Sequence, residues 1–161
     1  MRSDSPVFLR PANDEDLPQL ANWNRELISE EGSRNPMTET ELLGRMRSWL
    51  ETDWDVRIIE ADGKPAGYLV GRNRPDEYVP ETLEYYLRQF YILPAFRRMG
   101  IGRSAIEQIR EELFPKVSAI VLDVLERNVP GRSFWGALGF EPQYTTMKLT
   151  RESACQSMPK P

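Results

Sequence analysis

Histidine is absent from all 161 residues. That removes Ser-His and Cys-His nucleophile pairs, His-bearing zinc sites and histidine acid-base chemistry together. Any chemistry must use carboxylates, tyrosine, lysine, serine, backbone groups or a bound cofactor. Cysteine is nearly absent too: the one Cys155 cannot form an internal disulfide, in keeping with a reducing compartment. No apolar run approaches the roughly 18 residues of a membrane span. The start, "MRSDSPVFLRPA", lacks the apolar centre of a signal peptide, so cytoplasmic residence is the expectation. An excess of basic residues is also missing, because 21 Lys+Arg stand against 25 Asp+Glu for a net charge of -4. That balance speaks against a general nucleic-acid-binding or polybasic membrane-binding surface.

What remains suits one domain over residues 1–150, followed by a tail, "RESACQSMPKP", with no periodicity, which is expected to be disordered. "VFLRPA" predicts a first strand. Asn13, acidic residues and Leu17, Leu20, Trp23 and Leu27 at helical spacing predict the first helix. After the break "EEGSRNPM", Thr38 and Glu41 match a capping box and open a second helix. "WDVRIIEA" and "PAGYLVGR" read as strands joined by an Asp62-Gly63 turn, and "TLEYYLRQFYIL" as a longer strand ended by Pro94. A helix from Gly100 to Phe114 follows, then a buried strand in "VSAIVLDVL", a helix in "PGRSFWGALG" and a last strand in "FEPQYTTMKL". The order is β-α-α-β-β-β-α-β-α-β. Hairpins come first and a parallel crossover later, which predicts an α/β fold with a mixed sheet.

"PAFRRMGIGRSA", Pro94 to Ala105, packs three arginines and two glycines behind "FYIL". A glycine-rich turn feeding a helix offers unpaired N–H groups and the positive end of a dipole, which attracts phosphate. A tight loop with solvated arginines is the plain alternative. Gly100, Gly102 and Ala105 also fit a dinucleotide fingerprint with Asp123 as its acid. Against it, Pro94 to Met99 separate the glycines from the strand, and too little chain follows for a two-halved sheet. No Gly-Lys-Ser/Thr follows, so a P-loop is excluded.

These residues resemble the GNAT superfamily of N-acyltransferases. Its acyl-CoA loop, Arg/Gln-x-x-Gly-x-Gly/Ala after a strand ending V-x-P, is matched by Pro94, Arg97, Gly100 and Gly102, with Ile92 as a conservative change for the valine. Asn128 and the close Leu138-Gly139-Phe140 match its downstream motif, and the resemblance spans about residues 7 to 150. It implies a GNAT-like sheet with two parallel strands splayed around acetyl-CoA, an N-acetyltransferase activity and no metal. The implied partners are a small-molecule or peptide amine, attacking directly in a ternary complex, and the chain would act as a monomer or homodimer. It further implies that Tyr91, Ile92, Leu93, Arg97, Arg98, Met99, Gly100, Ile101, Gly102, Arg103, Asn128 and Trp135 contact the donor. A non-catalytic acyl-CoA-binding domain is the alternative, because Trp135 occupies the family's usual tyrosine position and an indole is too weak an acid to protonate a thiolate.

Amine acetylation needs a base, since an amine of pKa about 10.4 is neutral in only about one molecule in 2,000 at pH 7. "YLRQF" offers Arg88 and Gln89 where the family often has a carboxylate. Glu84, on the same strand, and Glu31, in a segment that borders the acceptor in the family, are the candidate bases. Tyr144 is a candidate acid, with Tyr91 as another. Glu30, Arg34, Asn35 and Tyr86 are the candidate acceptor contacts, although of Tyr85 and Tyr86 on an alternating strand one should face the core.

Overall fold

A computed structural model describes residues 6–157. Its elements are β1 (Val7–Pro11), α1 (Leu17–Glu31), α2 (Glu39–Glu51), β2 (Asp55–Ala61), β3 (Lys64–Pro75), β4 (Leu83–Ile92), α3 (Ile101–Leu113), β5 (Ala119–Val121), α4 (Val129–Ala137) and α5 (Arg151–Ser157). Local chemistry explains several of the starts. Asn13 accepts from the Glu15 N–H to cap a 3-10 turn, Asp14–Asp16, that leads into α1. At α2 the Glu41 N–H donates to Thr38 Oγ1 and the Thr38 N–H donates to Glu41, at 3.2 and 2.8 Å. Asp62 and Gly63 both hold positive φ, 53° and 71°, as the tight β2–β3 hairpin requires.

The sheet order is β1-β2-β3-β4-β5, antiparallel throughout except for the parallel β4–β5 pair. This is the mixed sheet predicted, and it leaves no place for the doubly wound parallel sheet of the dinucleotide reading. Strands β4 and β5 share only Glu84↔Ala119, Tyr85↔Ile120 and Tyr86↔Val121. Beyond Tyr86, β4 runs on to Ile92 alone on that side, while Leu122, Asp123 and Val124 line the opening gap. The predicted buried strand in "VSAIVLDVL" is therefore shorter than its apolar run. Within β4, Leu87 pairs with Gly71 and Gln89 with Val70, so Arg88 is the extra residue of a bulge.

Helices α1 and α2 bury Leu20, Trp23, Met46 and Trp49 against Ile58, Tyr68, Val70 and Tyr91 on one face of the sheet. On the other face Ile106, Ile109 and Leu113 of α3 cover Leu69, Tyr85 and Leu87. Tyr85 faces that core at 2% exposure, and the alternation turns Tyr86 to the α1–α2 side. Gly71 leaves room for the Tyr85 ring, which would lie 2.3 Å from a Cβ there.

Two expectations are corrected at the C-terminal end. "FEPQYTTMKL" forms no strand, so the element order closes on a helix. Its apolar residues Tyr144, Met147 and Leu149 are 80, 90 and 76% exposed, and alternation without a neighbouring strand makes no ladder. Arg151–Ser157 is helical where a structureless tail was predicted, with the Ser153 N–H donating to Thr150 Oγ1 at its start. The rest of the predicted tail, residues 158–161, lies outside the described residues. Among the described residues no helix is long and apolar enough to cross a membrane.

Candidate active site

Where β4 ends, Pro94 opens a short 3-10 turn and the chain swings into α3. Arg98 and Gly100 hold positive φ, 61° and 77°, and Gly100 begins α3 with no side-chain cap. The first bond within the helix runs from the Ser104 N–H to Gly100 O at 3.0 Å. The N–H groups of Ile101, Gly102 and Arg103 thus have no partner inside the helix and point out of its positive end. Space is tight at Gly102 as well, since a Cβ there would meet the Phe134 ring at 3.2 Å, closer than ordinary contact, and Ile92 at 3.6 Å.

This helix start opens onto a cleft of about 760 Å³ that fills the gap between β4 and β5. Leu87, Phe90 and Ile92 form one wall, Leu122 and Val124 the other, and Asn128, Phe134 and Trp135 of the α4 region lie beside the loop. The Leu93 N–H donates to Ala66 O on β3 at 2.8 Å. By strand alternation the N–H and C=O groups of Phe90 and Ile92 then face the gap. Asn128 caps α4 by accepting from the Gly131 N–H at 3.1 Å. Trp135 stands edge-on to Phe90, Phe134 and Phe140, with centroids 5.4, 4.8 and 5.2 Å away, so its ring belongs to an aromatic cluster under the cleft.

Glu31, the last residue of α1, lines the same cleft half-buried. Burial, with Glu30 beside it, holds its carboxyl above the usual carboxylate range. Among the described residues no cation lies within ion-pair distance of it.

The other residues singled out from the sequence divide between the cleft lining and places outside it. Glu30 and Arg97, assigned to acceptor and donor, both line the cleft and bind each other at 2.6 Å. Arg97 also donates to Ile92 O at 2.7 Å and stands 5.5 Å over the Tyr91 ring, so its side chain ties the loop to α1. Glu84 is paired with Arg74 at 2.6 Å on the closed stretch of the sheet, outside the cleft lining. Tyr144 is on the exposed segment after α4, well outside that lining. Arg34 is exposed, Asn35 Oδ1 accepts from the Met37 N–H, and neither lines the cleft. Leu93 packs against the α1–α2 core, and Met99 is largely exposed beside the lining. Tyr91, Ile92, Arg98, Gly100, Ile101, Gly102, Arg103, Asn128 and Trp135 all border the cleft. Tyr86 reaches its edge by donating to Asp123 Oδ2 at 2.7 Å.

Phe134 and Asp123 are site residues the motifs did not assign to this role. Phe134 was within reach, since it precedes Trp135 in "SFWGALGF". Asp123 entered only through the dinucleotide pattern.

A family model described as "Acetyltransferase (GNAT) family" matches residues 17–140. No curated protein sequence matches the chain. Among solved structures, an aminoglycoside N-acetyltransferase in complex with CoA is 19% identical, with TM-score 0.73, covering 94% of this chain and 98% of its own. The BH1408 protein from Bacillus halodurans is 23% identical with TM-score 0.75, covering 89% and 98%. An acetyltransferase from Trypanosoma brucei is 19% identical with TM-score 0.63, covering 90% and 99%. At these identities the likeness is one of fold.

Proposed function

Because the chain belongs to the GNAT family of acetyltransferases, we propose that it moves an acetyl group from acetyl-CoA directly to the amine of a small molecule. The observation that carries this is the meeting of two backbone edges in one cleft: the N–H groups of Ile101 to Arg103 at the start of α3, and on β4 the gap-facing N–H and C=O of Phe90 with the N–H of Ile92, whose carbonyl is taken by Arg97. A pyrophosphate suits the first, with Arg98 and Arg103 as flanking charge. A pantetheine arm suits the second, since its amides can pair with β4 as an added strand would. The aromatic cluster of Phe90, Phe134 and Trp135 supplies an apolar floor.

Glu31 is assigned as the base. The amine nitrogen attacks the thioester carbonyl carbon, the carbon–sulfur bond breaks, and the amine proton passes to the Glu31 carboxylate. The N–H groups of Phe90 and Ile92 are the donors available to the oxyanion. The departing thiolate has an ordinary pKa near 8.5, so its protonation asks little of Trp135 or of any other side chain.

The test is release of free CoA from acetyl-CoA over a panel of amines. Acceleration by at least one amine is the expected result, with the acetylated amine recovered. A protein that binds acetyl-CoA but is indifferent to every amine would instead be an acyl-CoA-holding module.

A further inference from the structure

Behind Arg88 at the β4 bulge, which lines the cleft, Arg45 of α2 and Arg72 of β3, which do not, join it in crowding around two tryptophans. Arg88 lies 5.6 Å from the Trp49 ring centroid and 5.9 Å from that of Trp54. Arg45 stands over the same Trp49 ring at 5.1 Å, and Arg72 over Trp54 at 4.3 Å. The two indoles are themselves 5.5 Å apart. Among the described residues none of these three arginines has a carboxylate within ion-pair distance, whereas nearby Arg74 takes Glu84 at 2.6 Å. Arg45 makes one long side-chain hydrogen bond, 3.5 Å to the buried Asn24 Oδ1.

A single arginine over an indole is sufficiently explained by cation–π attraction. Two guanidinium groups sharing Trp49 with no counter-charge are not, because each raises the cost of the other. Burial and the neighbouring Arg88 indeed both disfavour the charged form of Arg45. In a chain with more acidic than basic residues, an uncompensated pair of this kind suits an anion that comes from outside. Planar guanidinium forks match a carboxylate in particular. Arg88 lines the cleft together with Glu31, and Leu27 and Leu87 line it with them.

We propose that the acceptor is an amine that also carries a carboxylate, of the amino-acid class, with its amine toward Glu31 and its carboxylate on Arg88 and Arg45. The assignment rests on the preceding reading of the cleft as the acetyl-transfer site. A polycationic amine, the kind of acceptor that an aminoglycoside is, would bring further positive charge to an arginine pair that already lacks a partner.

Two measurements test this independently. In the first, glutarate, a dicarboxylate with no amine to acetylate, is compared with sodium chloride at matched ionic strength in thermal unfolding. Glutarate is expected to raise the melting temperature of the wild type and to have no such effect on Arg88→Gln. In the second, acetylation of glutamate is compared with that of its diamide and of an aminoglycoside. Glutamate is expected to be preferred over both, and Arg88→Gln to raise its KM about tenfold or more, as loss of a charge-assisted hydrogen bond does, with the KM for acetyl-CoA unchanged. No glutarate effect, or preference for the diamide or the aminoglycoside, overturns the proposal. If no amine is acetylated while glutarate still acts through Arg88, the anion site stands and the acetyl-transfer reading falls.

Discussion

The half-buried Glu31 carboxyl, with Glu30 beside it, is held toward its neutral form, and this bears on stability and on activity in opposite senses. A carboxyl whose pKa is raised on folding binds more protons in the native state than in the unfolded chain. Its contribution therefore declines as pH rises from the ordinary value of about 4.3 through the raised one. Glu31→Gln removes that decline, so the variant is expected to melt at the same temperature as the wild type or higher at pH 7, by calorimetry across a pH series. The same substitution removes the proposed proton acceptor and is expected to lower kcat by about 10²- to 10⁴-fold, leaving the KM for acetyl-CoA unchanged. A loss in thermal stability at pH 7 would refute the electrostatic account, and an unchanged kcat the catalytic one. At Gly102 the constraint is spatial. A valine there drives its side chain at Phe134 and Ile92, and is expected to abolish acetyl-CoA binding in titration calorimetry while circular dichroism stays that of the wild type.

At the scale of elements, Arg97 joins the end of β4, the loop and α1 through Ile92 O, Glu30 and Tyr91. Glu30→Gln breaks only an exposed ion pair, worth up to about 1 kcal/mol, and is expected to weaken acetyl-CoA binding by no more than about fivefold. Arg97→Ala also removes the bond to Ile92 O and should weaken it further, as equilibrium titration of the two variants will show. The same residues mark what the sequence could disclose. The Thr38 capping box, the Asp62-Gly63 turn and the glycine-rich turn into α3 were legible because each is settled by residues adjacent in the chain. The strand predicted in "FEPQYTTMKL" was not, because a strand exists only with a neighbour, and the exposure of Tyr144 and Met147 shows none there. The pairing of Glu30 with Arg97 was illegible in the same way, since it joins two elements far apart in sequence. The loop was thus readable from its glycines, whereas the partners that decide which arginines are free to meet a ligand were not.

For the molecule as a whole, bidentate ion pairs fasten elements together, Arg10 of β1 to nearby Asp16, and Arg57 of β2 to the distant Glu112 of α3. Their arginines hold the carboxyls of Asp16 and Glu112 below the ordinary range. Stability drawn from such groups is complete above the unfolded pKa and is lost as pH falls through the lowered one. The protein is accordingly expected to lose stability below about pH 4, and Arg57→Met to flatten that acid limb in denaturant titrations. The splay between β4 and β5 has a different consequence. Only three register pairs hold β5 to the sheet, and α4 with its aromatic cluster follows from it. A donor lodged in the seam, as proposed above, would act as mortar for the C-terminal third, and at 100 times its dissociation constant would add about 2.7 kcal/mol of stability. Limited proteolysis should then cut the free protein first after α3 and spare it when acetyl-CoA is present. In a cell, the lifetime of the enzyme would follow the supply of its own donor, so that scarcity thins the enzyme population as well as slowing each turnover.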